Sequence, residues 1–392
     1  MKLAKILALA LALVMCLGAF AACGGKTNYA QNNTEFIIGL SGPLTGGAAV
    51  YGLGVKNGAQ MAVDEINAQG GLNGIKFKLV ATDDVNDASK LAGNYSTLYE
   101  GGMQVSLGTV TTQPGLEFKN LSKDDNVFFL TPSASGDAIP EFDNGYQMCF
   151  ADGNQGKGAA DYVNANYAGK TIGVFYKADE DYSKGIFQQF KANLDPSVTL
   201  VETSFTDANA TDFSSQQSEL KDMDFIFMPI YYTPAALFMN TGKNILKPTA
   251  TLYGCDGFDG LAGVLGEDMD TIPQAISMLS HFDSNATEGP AKEFIDKYTE
   301  AYGAETLNQF GASAYDCVWA IYKAMKKAMD AGTEIPANIA PSDLCNILKA
   351  EFRGGFTITD CATGASIQWE TNGFVNKTPV RYDLKPCTAT EE

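Results

Sequence analysis

The chain has 392 residues, with 46 Asp and Glu against 27 Lys and Arg and a single histidine, giving a formal charge of −19 at pH 7. So acidic a surface argues against holding nucleic acid or anionic lipid by charge. About 360 residues remain beyond an apolar start, more than one core usually fills, so two domains are expected.

Lys2 and Lys5 precede an uncharged apolar run from Ile6 to Ala22 that ends in small residues. This is the pattern of a secretory signal and not of a membrane span. Ala21-Ala22 before Cys23 and Gly24-Gly25 after it resemble a bacterial lipoprotein cleavage site, although Phe20 stands where Leu is usual. The expectation is a signal peptide over 1–22, lipid on Cys23 and a loose tether over 23–34; secretion with an unmodified Cys23 is the alternative. Cys16 follows bulky Met15 and is the poorer candidate. Losing Lys2 and Lys5 takes the charge from −19 to −21. No later apolar stretch is long enough to span a bilayer.

From Glu35 strand-like and helix-like segments alternate. Phe36 to Leu40 reads as a strand covered on both faces. A glycine-rich turn, Gly42 to Gly47, leads into a helix whose stripe is Val55, Ala59, Ala62 and Ile66, closed by Gly70-Gly71. Ile75, Phe77, Leu79 and Ala81 alternate as a strand, and Met103 to Leu107 and Val127 to Leu130 are further short ones. After Gly158 the rhythm restarts: 171–176, 198–201, 224–228, 249–253 and 275–279 read as strands, with helices such as Ser183 to Leu194 and Pro234 to Ile245 between them. Two series of β-α units imply two parallel-sheet lobes, whose ligands bind beyond the carboxyl ends of the strands. Gly289 to Tyr302 and Ser313 to Ala331 are long helices, and 365–369 and 380–384 look like closing strands of unassigned lobe.

Cys149, Cys255, Cys317, Cys345, Cys361 and Cys387 remain once Cys16 and Cys23 are set aside. An exported chain can oxidise them, with fifteen connectivities for three bridges. A surface outside an anaerobic cell would leave all six as thiols; if any pair, the expectation is pairing among Cys345, Cys361 and Cys387. No CxxC spacing supports a metal site, and no cofactor is expected.

Enzyme signatures are missing. His281 has no positioned Ser or Cys motif beside it, and neither G-x-S-x-G nor H-E-x-x-H occurs. Gly169-Lys170-Thr171 precedes a strand and has Ala165 where a phosphate loop needs glycine. Gly52, Gly54 and Gly58 have the wrong spacing for a dinucleotide site and fit close helix packing. Trp319 and Trp369 read as core residues in preference to sugar platforms.

Gly42-Pro43-Leu44-Thr45-Gly46, Tyr51-Gly52, Ala62 to Gly74, Thr111 to Pro114, Thr131 to Ser135, Ala178 to Gly185 and Gly364 to Gly373 occur in an order that resembles the leucine/isoleucine/valine-binding proteins of ABC importers. The resemblance spans essentially the whole mature chain. It implies an α/β protein with two Rossmann-like parallel-sheet lobes joined by three hinge crossings, the type I periplasmic-binding-protein fold. Lobe 1 would take 35–150 plus 282–372, and lobe 2 would take 151–281 plus 373–387. It implies no enzyme activity. The function implied is capture of an amino acid, branched-chain or otherwise aliphatic, by a monomer that is anchored outside the cytoplasm and closes on its hinge. Permease and ATPase subunits of the importer would be its partners. Thr111, Thr112, Ser133, Ala134 and Ser135 match the carboxylate cradle, where hydroxyls and N–H groups at a helix start suit an anion. Asp256 would take the ammonium, with Asp259 as competitor. Tyr51, Tyr182, Tyr231 or Tyr232, and Phe310 match wall positions for the side chain. Amide, small-acid or sugar cargo, a receptor-coupled sensor and a secreted hydrolase are the other readings.

Overall fold

The computed structural model describes residues 27–389. The signal peptide and the lipidated Cys23 expected above lie outside the described residues. The loose tether is corrected in its second half: Ala30 is fully buried, and Asn33 Nδ2 donates to the Gly102 carbonyl at 2.9 Å and to Gln104 Oε1 at 3.1 Å. Residues 28–33 are therefore docked on the domain that follows.

The first lobe opens with strand β1 (Phe36–Gly42), helix α1 (Ala49–Ala68), β2 (Phe77–Asp83), α2 (Leu91–Glu100), β3 (Val105–Ser106), α3 (Thr112–Asp125), β4 (Phe129–Thr131) and β5 (Gly145–Gln147). Its sheet has the order β2-β1-β3-β4-β5 with every pairing parallel. β1 is apolar along most of its length because α1 covers one face and α2 the other.

The chain then builds the second lobe from α4 (Asp152–Asn166), β6 (Thr171–Lys177), α5 (Asp181–Asn193), β7 (Thr199–Phe205), α6 (Ser214–Leu220), β8 (Phe225–Met228), α7 (Tyr232–Gly242), β9 (Thr251–Gly254), α8 (Leu261–Leu265) and β10 (Ala275–Ser280). It returns to the first lobe for α9 (Gly289–Tyr302), α10 (Gln309–Asp330), α11 (Pro341–Arg353) and the hairpin of β11 (Thr357–Cys361) with β12 (Gly364–Gln368). A last passage leads to β13 (Val380–Lys385), which lies antiparallel to β10 in the order β13-β10-β9-β8-β6-β7. Three passages therefore join the lobes, after β5, after β10 and after β12. The two closing strands fall in different places: β12 belongs to a separate two-stranded hairpin and β13 to the second sheet.

Close packing accounts for two glycines that matter. α10 lies along α1, and a Cβ on Gly58 would stand 2.0 Å from the Gly311 carbonyl oxygen, so the glycines of α1 serve helix contact. Gly373, on the last passage, has φ 88° and accepts from the Gln147 amide at 3.0 Å; a Cβ there would meet the Gly145 carbonyl at 2.6 Å.

The six cysteines among the described residues are free thiols, which corrects the expected pairing of Cys345, Cys361 and Cys387. Cys345 is buried beside Asn126, Cys361 is buried in the β11–β12 hairpin, and exposed Cys387 lies near the Pro248 carbonyl of the second lobe. The chain carries them to three separate places. Trp369 is a core residue, its Nε1 donating to the Gln147 carbonyl at 2.8 Å, whereas Trp319 is half-buried.

Candidate functional site

The lobes meet over a small cavity at the carboxyl ends of their strands. The first lobe contributes Tyr51 from α1, Val110, Thr111 and Thr112 from the turn after β3, Ser133 and Ser135 from the turn after β4, and Phe310 from α10. The second contributes Tyr182 from α5, Tyr231 from the turn after β8, and Asp256 and Gly257 from the turn after β9.

The first-lobe wall is built of hydroxyls. Thr111 is extended (φ −110°, ψ 153°) and sets Thr112 as the first residue of α3, so both sit at a helix N-terminus whose amides and dipole favour negative charge. Both side chains are buried, yet neither Oγ1 has a hydrogen-bond partner. A buried hydroxyl left unpaired costs about 1–3 kcal/mol. Ser133 and Ser135 stand beside them, almost as fully buried.

The second-lobe wall carries the charge. Asp256 is 2 % exposed; it accepts from the Tyr182 hydroxyl at 2.6 Å, and its own amide donates to Gln155 Oε1 at 2.9 Å. Burial pushes its carboxyl up to about 6 even with the phenol donating to it. Asp152, the first residue of α4, is raised well above the ordinary range by burial, with the charge of Asp256 adding to the rise. Among the described residues, no lysine or arginine lines the cavity. The second-lobe face therefore suits a cation.

Aromatic rings complete the walls. Tyr182 and Tyr231 stack with centroids 4.6 Å apart, and Tyr51 meets Tyr231 edge-on at 5.6 Å and Phe310 at 5.1 Å. The same residues join the lobes. The Tyr51 hydroxyl donates to the Gly257 carbonyl across the cleft and accepts from the Tyr232 amide at 3.3 Å. Asp259 accepts from the Gln309 amide at 2.7 Å, and Thr233 Oγ1 donates to the Gly47 carbonyl at 2.6 Å.

Nine of the residues singled out in the sequence line this one cavity: Tyr51, Thr111, Thr112, Ser133, Ser135, Tyr182, Tyr231, Asp256 and Phe310. Two do not. Ala134 is turned away, its carbonyl accepting from Gln147 Nε2 at 3.0 Å. Tyr232 begins α7 and packs behind Tyr51 at 4.8 Å, its hydroxyl accepting from the Val50 amide. Asp259 is not on the cavity wall and is engaged by α10, which removes it as competitor to Asp256. His281 lies on the second passage between the lobes, with Nε2 2.7 Å from Ser313 Oγ and away from the cavity. Val110, Gly257 and the buried Asp152–Gln155 layer behind Asp256 were not anticipated; an Asp opening a polar helix, Asp152-Gly153-Asn154, was the available signal.

Two parallel-sheet lobes, three passages between them and a hydroxyl- and acid-lined cavity define a binding protein for a small solute and not an enzyme. The chain belongs to the periplasmic binding protein family, which it matches over residues 35–342. It is 28% identical over 327 residues to a Leu/Ile/Val-binding protein, BraC3, of Rhizobium johnstonii, covering 78% of this chain and 86% of that one. It is 27% identical over 326 residues to a leucine-, isoleucine-, valine-, threonine- and alanine-binding protein of Pseudomonas aeruginosa, covering 80% and 84%. The leucine-binding protein LivK of Thermotoga maritima has the same fold, with a TM-score of 0.77 at 23% identity over 89% of this chain and 95% of that one. Membership gives this chain a solute-binding role outside the cytoplasm.

Proposed function

We propose that the cavity captures a free amino acid with a short aliphatic side chain, in the branched-chain range, and that the lobes close over it about their three connecting passages. In this reading lobe 1 is 35–150 plus 282–372 and lobe 2 is 151–281 plus 373–387. The protein hands its cargo to the permease and ATPase of an ABC importer and is held at the membrane by lipid on Cys23. The observation that carries the reading is the opposition of two kinds of wall: unpaired buried hydroxyls of Thr111 and Thr112 on one lobe, and buried Asp256 without a cation on the other.

A zwitterion satisfies both. Its carboxylate takes the hydroxyls of Thr111, Thr112, Ser133 and Ser135, and its ammonium takes Asp256. Each end leaves water for a partner of opposite character, which is the condition for burying charge without a large penalty. Tyr51, Val110, Tyr182, Tyr231 and Phe310 then wall the space left for a small apolar side chain. Because the two ends are held by different lobes, ligand favours the closed arrangement. The relatives named for leucine, isoleucine and valine support the same cargo class.

Titration calorimetry with a panel of amino acids and their amides tests the reading. Binding at micromolar Kd or tighter, about −8 kcal/mol or better, is expected for short aliphatic amino acids. The absence of heat from every amino acid would overturn it.

A further inference from the structure

A second, larger chamber of about 260 Å³, partly open to solvent, adjoins the cavity, also between the lobes. It lies at the carboxyl ends of β6, β7 and β8 and is roofed from the first lobe by Gly47, Ala48, Val85 and Asn86. Among the described residues, Tyr231 is the one that lines both spaces. Its ring is held on edge by Tyr51 and face-on by Tyr182, so it stands as a partition braced from each lobe.

The far chamber has its own chemistry. Phe205, Pro234 and Leu237 give it apolar walls, and Glu180, 4 % exposed, gives it a buried carboxylate. Glu180 is met by the Asn86 amide from the opposite lobe and by Lys177 at 3.9 Å. Lys177 is drawn away from it, making its short ion pair of 2.8 Å with Asp207. The roof is strained where it meets this wall: Val85, a β-branched residue, has φ 49°, and Asn86 follows at φ 63°. Left-handed backbone at a β-branched residue persists only where surrounding structure imposes it, and such positions gather at functional sites.

We propose that Tyr231 is the specificity filter of the cleft: its ring shuts the inner cavity off from an outer chamber built to receive a longer, cation-tipped side chain at Glu180. The proposal rests on the amino-acid reading above and adds what sets the length of the cargo. With the ring in place, a side chain longer than leucine has no room beyond the cavity wall. With the ring removed, the two spaces join, and a lysine or arginine side chain extends along Phe205 and Leu237 until its cationic end meets the Glu180 carboxylate, which a neutral tail of equal length does not exploit.

Calorimetry on the wild type, Tyr231→Ala and Tyr231→Ala/Glu180→Gln with valine, leucine, norleucine and lysine tests this. The wild type is expected to bind valine or leucine and to reject lysine. Tyr231→Ala gains lysine and norleucine, with lysine favoured by roughly tenfold or more, and Glu180→Gln in that background removes the preference. Tyr231→Phe keeps the ring and continues to reject lysine. Should Tyr231→Ala fail to fold, as judged by circular dichroism, Tyr231→Leu takes its place. A wild type that binds no amino acid sinks the cargo reading; a wild type that binds valine while the ring-deleted variant shows the same order of affinities sinks the filter alone.

Discussion

Tyr182 donates its hydroxyl to Asp256 at 2.6 Å and accepts the Gly257 amide at 2.9 Å, so one phenol fixes both the acid and the turn that presents it. Asp256→Asn retains the shape and the Tyr182 contact but loses the charge, and Asp256→Ala loses both. Either change is expected to lower amino-acid affinity by about 100-fold or more, since a buried charge partner is worth about 3–5 kcal/mol when removed. Calorimetry reads the loss, and a thermal midpoint of ligand-free Asp256→Asn no lower than that of wild type separates binding from folding.

The acidity of Asp256 gives the binding reaction a pH dependence. Its carboxyl sits at about 6 in the free protein and must be ionised to hold an ammonium. Affinity is therefore level above pH 7 and falls by about tenfold per unit once pH drops below about 6. Binding at pH 5 is expected to be roughly tenfold weaker than at pH 7.5, with proton release on binding seen as buffer-dependent heat. A flat profile over this range contradicts the assignment of Asp256.

Stability of the free protein runs the other way. Asp84 and Asp259 also sit at about 6 and Glu180 at about 7, all raised by burial. A carboxyl raised in the folded state contributes stability that is complete below its unfolded value, near 4, and is lost as pH rises through its folded value. The carboxylates lowered by hydrogen bonds, such as Asp83 and Asp87, act only at more acid pH. The melting temperature of ligand-free protein is expected to be higher at pH 5 than at pH 7.5, and differential scanning calorimetry checks the direction.

Much of this site was readable from sequence because the strands are short, apolar and bounded by turns of Thr, Ser, Asp and Gly. Ligand residues of such sheets cluster in those turns. What could not be read is which way neighbours face. Tyr231 and Tyr232 are adjacent, and only the start of α7 at Tyr232 turns one ring to the cavity and the other behind Tyr51. Ala134 lies between two cavity serines yet packs into the cluster of Phe118 and Ile139 instead. β5, three residues at a sheet edge, is too short to show a period. The cysteine pairing failed because sequence proximity near the C-terminus says nothing of the last passage, which carries Cys387 to the other lobe.

The unpaired hydroxyls give a prediction of mixed sign. Thr111→Val and Thr112→Val replace a buried, unpartnered Oγ1 with a methyl of equal size. In the free protein the exchange is expected to be neutral or stabilising, as it removes a desolvated polar atom. Affinity is expected to drop by about 10-fold for each, from the loss of a hydrogen bond to a charged group. Chemical denaturation and calorimetry on the same samples distinguish this from general damage, which would lower both quantities.

The thiols can be counted. A chain beginning after Cys23 should release six equivalents with a thiol reagent in denaturant and one quickly when native, from exposed Cys387. A count of four or fewer in denaturant, restored by reductant, would show a disulfide.

Tyr51 is the cross-lobe contact with the clearest mechanical consequence. Its hydroxyl gives the second-lobe Gly257 carbonyl a donor and takes the Tyr232 amide, while its ring packs against Phe310 and Tyr231. Tyr51→Phe keeps the packing and leaves a buried carbonyl without its donor whenever the lobes are shut. Opening exposes that carbonyl to water, so the penalty falls on the closed arrangement alone, about 1–3 kcal/mol. Small-angle scattering should show a larger radius of gyration for ligand-free Tyr51→Phe than for wild type, and saturating ligand should bring the two together. Affinity should fall by at most that free energy, and by less the more fully the free wild type is already closed, because ligand then does the work of closure that the hydroxyl had shared. Equal radii in the free state together with unchanged affinity would show that the hydroxyl contributes nothing to closure.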